Sequence, residues 1–288
     1  MSRSRRSIRP SGASQAGYSL VELLVGLGVM AVAMATTTGL FVASRNFMMD
    51  QALQVETSQA VRASLDVMVR DLRLGGACLP INGDFISIDG TNNSTTDEII
   101  TRTGLIRPDL SCVVTSTSAD AGQGAQSLSV EQTNGFSSGM RAYVRNTNAT
   151  GEFFSITGVD STNKTLQISP GLSTAYGSAS GVYAIDERRY LIANWDSNNK
   201  ALYMQLNNDP SSLMPFAIGI EQLDIQYQLE RNCPPCDMVS IPADDNEWAI
   251  VKSIQLSLTA RSQLKNWAGQ YYRRTVTVDV KPRNLIPQ

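Results

Sequence analysis

GYSLVELLVGLGVMAVAMATTTGLFVAS, residues 17–44, decides how the rest of this 288-residue chain is read. From Leu23 to Ser44 run 22 uncharged, mostly apolar residues, bounded by Glu22 and Arg45. As a helix rising about 1.5 Å per residue the run spans roughly 33 Å, enough to cross a bilayer's hydrocarbon core. Residues 1–17 carry Arg3, Arg5, Arg6 and Arg9 and no acid, a flank that favours a cytoplasmic N-terminus and export of the chain beyond the apolar run. Three readings fit such a segment: a secretory signal cut after Ala33-Met34-Ala35, a plain single-pass anchor, and a third that turns on Gly17-Tyr18-Ser19-Leu20-Val21-Glu22. There a glycine ends the basic leader and a lone carboxylate opens the apolar run. A charged acid in a membrane helix costs about 2–3 kcal/mol near the centre and less near an end. Glu22 is therefore either kept for a partner or parked at the headgroup level.

GYSLVELLVGLGVMAVAMA resembles the type III signal of type IV prepilins and pseudopilins. Four features coincide: a short basic leader, a glycine, an aromatic-Ser-Leu-x-Glu string, and an apolar run of spanning length. The resemblance implies cleavage between Gly17 and Tyr18 by a prepilin peptidase, N-methylation of Tyr18 by the same enzyme, and Glu22 as the fifth mature residue. It also implies a role for that carboxylate in assembly, not catalysis. Where apolar stems bundle out of water, an opposite charge a few ångströms away offsets the loss of hydration, and the N-terminal amine of a neighbouring subunit supplies one. The stem lacks the proline of many major pilins; Gly39 stands there, with Gly26 and Gly28 as further loose points.

No proline interrupts Tyr18 to Cys78, and Leu53, Val61, Leu65, Met68 and Leu72 recur at helical spacing. Asp66 precedes Arg70 by four residues, the order that favours a helix-surface ion pair. Gly75-Gly76 stops the helix and Pro80 prevents its resumption. The stretch Gln59–Gly76 resembles the stem end of PilW-type minor pilins; read as residues alone it is an ordinary charged helix face, whose Asp71 and Arg73 are candidates for contacts with neighbouring subunits.

From residue 81 the period changes to alternation between turn-rich clusters. Leu223/Ile225/Tyr227, Ile254/Leu256/Leu258 and Val276/Val278/Val280 each repeat every second residue, which buries one face of an antiparallel sheet. That face is expected to pack on the Val61–Leu72 stripe. The fold class expected is α+β: a long N-terminal helical spine, membrane-spanning in its first half, on an antiparallel β-sheet head with an extra small β module. The boundaries expected are a cleaved leader at 1–17 and a helix at 18–76, of which 18–44 lies in the membrane or fibre core and 45–76 is amphipathic. A periplasmic head occupies 77–288, with a possible inserted β module at about 122–186. Asn93-Ser94-Thr95 and Asn148-Ala149-Thr150 match a glycan acceptor pattern by chance, and no modification is assigned.

Cys78, Cys112, Cys233 and Cys236 all come after the membrane segment, so on this topology they lie in an oxidising compartment. Four cysteines allow three pairings; the favoured set is Cys78–Cys112, closing the spine-to-head loop, with Cys233–Cys236, closing Cys-Pro-Pro-Cys between two strands. Redox catalysis at that motif is disfavoured, since no helical period succeeds it to lower a thiol's pKa. A four-cysteine zinc site is less favoured still, only one half having knuckle spacing. Asp244-Asp245-Asn246-Glu247 could offer oxygen donors to calcium but lacks the loop spacing; a solvated acidic turn before Trp248 is the simpler reading. The chain has no histidine, which removes every imidazole-dependent site. No phosphate loop, nucleophile elbow or basic-aromatic nucleic-acid stripe appears, and with 24 Lys+Arg against 26 Asp+Glu there is no general reason to bind nucleic acid. No enzyme activity, cofactor or metal is assigned.

The expected function is a minor pilin in a type IV pilus, held first in the inner membrane with a periplasmic head and then carried in the fibre at the cell surface. Its expected partners are the prepilin peptidase and methylase, other minor and major pilins, and the inner-membrane assembly platform. The alternatives are a J-type minor pseudopilin of type II secretion and, from another class, an adhesive or ligand-binding head.

Overall fold

The computed structural model describes residues 19–80, 87–148 and 150–282. Two compact units divide between Gln51 and Ala52, inside helix α1, Leu20–Leu74. In the stem unit the three threonines of the apolar run are satisfied locally. Thr36 and Thr37 donate to Ala33 O and Thr38 to Met34 O, so the hydroxyls do not face an apolar environment without acceptors.

From Ala52 onward the helix belongs to the head, and only one stripe is buried: Leu53, Thr57, Val61, Ser64, Leu65, Met68, Asp71 and Leu72. Thr57 and Ser64 sit inside it because their hydroxyls donate to Leu53 O and Ala60 O. The helix stops where the sequence predicts. Gly76 takes φ +80, a conformation in which a Cβ would clash, and its N–H donates to Arg102 O at 2.9 Å.

The strands are β1 Ile88–Thr91, β2 Glu98–Gly104, β3 Val114–Ser116, β4 Ser127–Ser129, β5 Arg141–Arg145, β6 Gly151–Asp160, β7 Thr165–Ser169, β8 Gly181–Asn194, β9 Lys200–Leu206, β10 Met214–Ile218, β11 Ile220–Leu229, β12 Met238–Val239, β13 Val251–Lys265 and β14 Tyr271–Val280, with a single-turn helix α2, Asp245–Ala249, before β13. Every pairing is antiparallel. One sheet runs β12-β11-β13-β14; the other runs β1-β2-β8-β5-β6-β7-β4, with β3 and β9 also on β8 and β10 on β9.

β8 is the shared member. Its first half, Gly181–Ile185, pairs with β3 and β5; its second half pairs with β2 and β9. Two cores result. The outer core gathers Leu128, Val130, Val144, Phe154, Ile156, Leu166, Tyr176, Val182 and Ala184 and is closed by bridges Thr117–Val130 and Ala121–Tyr176. The inner core joins Val61, Leu65, Met68 and Leu72 of α1 to the alternating residues of β11, β13 and β14 and to Tyr190, at about 1.5–3 kcal/mol for each fully buried aliphatic side chain. The stripe and the sheet face thus meet as their periods require, and the class is α+β.

Three strands do not announce themselves in the sequence. β1 forms around Gly90, where a Cβ would collide with the Tyr227 hydroxyl. β10 is a bulged edge strand containing Pro215, and β12 is two residues long. The β1–β2 turn caps the edge of β11: Asp97 N–H donates to Leu223 O, and Ile225 N–H donates to the Asp97 carboxylate at 2.7 Å. Burial pushes the Asp97 carboxyl up, against the N–H groups of Ile225 and Asn93 that hold it down.

Asp244-Asp245-Asn246-Glu247 is a helix start, not a solvated turn. Asp244 accepts from Glu247 N–H, and Glu247 accepts from Ala243 N–H and from Arg231, which seats Trp248 edge-on against Tyr227, centroids 4.9 Å apart.

Cys78 and Cys112 form a disulfide over 34 residues, Cα–Cα 5.6 Å. Replacing both by serine is expected to lower head stability by roughly 3–4 kcal/mol, the loop-closure entropy returned to the unfolded chain. A urea melt of the double variant with an unmoved midpoint would show that this link contributes nothing.

Candidate functional site

The stem bears its apolar side chains on all sides. Leu20, Val21, Leu23, Leu24, Leu27, Met30, Leu40 and Phe41 are all exposed, and no residue of the most apolar stretch is buried. Apolar surface of this extent is not stable in water and requires lipid or other apolar stems. Glu22 lies in the first turn of α1, where unpaired N–H groups make the helix end electropositive and favour a carboxylate. Glu22, Leu23, Gly26, Leu27 and Met30 line one shallow depression on this surface. Gly26, one turn beyond the acid, has nothing within 4 Å of where a Cβ would stand. The arrangement is an apolar rod with one anion near its start and a notch beside it. It can accept a cation; among the described residues no cluster of His, Cys, Asp or Glu is disposed to hold a metal. Gly17 and Tyr18 lie outside the described residues.

At the other end of α1, Asp71 turns inward. Its side chain accepts from Tyr190 Oη at 2.6 Å and from Arg188 Nη1 at 2.9 Å, while its backbone oxygen accepts from Thr101 Oγ1. Asp71 is 5% exposed and Tyr190 0%. Burial, reinforced by the adjacent carboxylate, pushes the Tyr190 hydroxyl well above the usual tyrosine range, so it stays a donor. Burial disfavours the Arg188 cation, yet its bonds to Asp186 and Asp71 outweigh this and hold it above its usual value. Asp71 is therefore a latch from helix to sheet, which corrects its reading as a contact for neighbouring subunits. Arg73 is exposed. Arg70 approaches Asp71, Nε–Oδ1 3.6 Å, instead of the Asp66 expected from spacing.

Cys233 and Cys236 are joined in the loop between β11 and β12. Arg231 braces that loop through Asp237 and Glu247, and Lys252 Nζ lies 4.0 Å from Cys236 Sγ. All four cysteines are paired.

The latch is the part sequence reasoning missed. One signal for it existed: Asp186-Glu187-Arg188-Arg189 sets four consecutive charges at and beyond the end of the strand expected at Val182–Asp186, and the structure carries that strand on through them to Asn194. A central strand retains charge only where partners face it. Here Glu187 meets Arg102 at 2.6 Å, Arg189 meets Glu98, and Arg188 meets both Asp186 and Asp71.

Residues 12–38 match the family described as the prokaryotic N-terminal methylation motif. No curated protein matches the chain. Among solved structures, the Gp54 tailspike of Acinetobacter baumannii bacteriophage AP22, in complex with A. baumannii capsular saccharide, is 14% identical over 30% of this chain and 15% of its own, with a TM-score of 0.24; a likeness that weak carries no argument. The matched motif and the apolar helix together support a type IV pilin-like or pseudopilin subunit, processed by prepilin peptidase, assembled with other pilins and anchored to the membrane by its N-terminal segment.

Proposed function

We propose that the chain is a minor pilin of the PilW type, a structural and assembly subunit of a type IV pilus. The observation that carries this is the exposed apolar stem with a carboxylate in its first turn, lying under a prepilin methylation motif. On this reading the prepilin peptidase cuts between Gly17 and Tyr18 and methylates the new amine. The chain waits in the inner membrane with its head in the periplasm. The assembly platform then moves it into the fibre, where burial of stem against stem drives association. Glu22 pairs with the Tyr18 amine of a neighbour and fixes the axial stagger. The head's internal latch and Cys78–Cys112 keep it folded outside the cell. An adhesive head remains compatible with this placement, since it would act after incorporation.

Mass spectrometry of the mature protein tests the reading. The expected N-terminus is an N-methylated Tyr18, in protein recovered from sheared filaments. A chain beginning at Thr36 would instead identify a secretory signal and remove the proposal.

A further inference from the structure

The turn between β13 and β14 differs from the rest of the head surface. From Arg261 to Arg274 the sequence holds four cations, Arg261, Lys265, Arg273 and Arg274, and no acid. At its tip Leu264 is 67% and Trp267 65% exposed. The turn does not need the indole to hold its shape. The Asn266 side-chain oxygen accepts from Ala268 and Gln270 N–H, Asn266 N–H donates to Gln270 O, and Gly269 N–H donates to Asn266 O. Trp267 is thus displayed on a rigid platform. Behind it Arg261 and Lys265 stand over the Tyr271 ring, at 4.1 and 5.3 Å from its centroid.

A second exposed tryptophan joins it. Arg261 also donates to Asn198 O and Asn199 Oδ1, in the turn between β8 and β9 that carries Trp195, 47% exposed. The acids nearby are engaged: Glu221 pairs with Arg261 and Arg273, and Asp196 accepts from Asn198 and Asn199 of its own turn. Lys265 is left on an exposed, cationic rim.

Both turns lie on the Ser58 side of the head, away from Asp71. Arg274, paired with Ala260 across the hairpin, donates to Ser58 Oγ at 2.9 Å, whereas Tyr190 and Arg188, farther back along β8, reach Asp71. Between the uncharged run, which ends at Ser44, and the head, which begins at Ala52, stand only residues 45–51, at most about 25 Å of chain even fully extended. A connection that short keeps the head within reach of whatever surface the apolar segment leaves.

We propose that this end of the head seats on the bilayer interface, with Trp267, Leu264 and Trp195 in the headgroup layer and Lys265 against lipid phosphate. Indoles favour that layer because one side is apolar and the N–H is wet, and the cations match anionic lipid. The inference rests on membrane anchoring of the stem, not on incorporation into a pilus.

The test uses the full chain reconstituted in phosphatidylglycerol-containing vesicles, with tryptophan emission read against lipids bearing a nitroxide near the headgroup. Strong quenching is expected, most of it lost in the Trp267→Ser, Trp195→Ser double variant; both residues are exposed in turns, so the fold should persist. Lys265→Glu should weaken quenching in these vesicles and leave it unchanged in purely phosphatidylcholine ones. Quenching that survives the double variant, or that is absent while the chain still floats with the vesicles, overturns the proposal; so does protection of Trp267 that appears only when another pilin is added. Failure to float would instead remove the anchoring on which the inference rests.

Discussion

Asp71→Ala should lower the stability of the head by about 2–4 kcal/mol, the cost of breaking a buried charge-assisted cluster by removing its central member. The Tyr190 hydroxyl, wholly buried, would lose its acceptor. Arg188 would keep Asp186 at 2.8 Å and some contact with water, which holds the loss below the full penalty of an orphaned buried charge. Tyr190→Phe should cost less, about 1–2 kcal/mol, because Asp71 keeps Arg188. The two changes should be less than additive, since they remove the same bond. Urea unfolding of the full chain in detergent, monitored by near-ultraviolet circular dichroism, measures all three. A midpoint for Asp71→Ala that coincides with the wild type would mean that α1 is held to the sheet by its apolar stripe alone.

Glu22→Ala is expected to reduce incorporation into filaments at least tenfold while leaving urea unfolding of the head unchanged, because Glu22 belongs to the stem unit. Tenfold corresponds to about 1.4 kcal/mol, well under the penalty for leaving a neighbour's amine unpaired among packed stems. Retention in the membrane should not suffer, since the substitution removes a charge that lipid disfavours. Comparing sheared filaments with the membrane fraction separates docking from anchoring. Equal filament content in variant and wild type would refute the pairing of Glu22 with a subunit amine.

How far the sequence alone reached depended on the range of the interaction. The stem was legible because its signal is local: 22 uncharged residues need no partner in the chain to be recognised. β11, β13 and β14 were legible because each buries one face, and alternation records that directly. β1 was not, because Ile88-Asp89-Gly90-Thr91 is a strand only where Tyr227, 137 positions on, presses against Gly90. Asp71 was read as a surface charge since nothing near it in the chain reveals Tyr190 and Arg188, which are 119 and 117 residues away. Asp244 and Glu247 looked like part of a solvated turn because their oxygens serve backbone N–H groups, a use that composition does not distinguish from hydration.

β8 is a single ribbon threaded through both cores, with Val182 and Ala184 in one and Tyr190 in the other. Any pull on α1 would therefore pass into the inner sheet pair and along the later half of that ribbon, and through Cys78–Cys112 it would reach only the foot of the lobe built on its earlier half. Beyond that foot the outer lobe can thus be reshaped, lengthened or decorated without loosening the mooring, which divides the labour of the head between a part that bears load and a part that is free to vary.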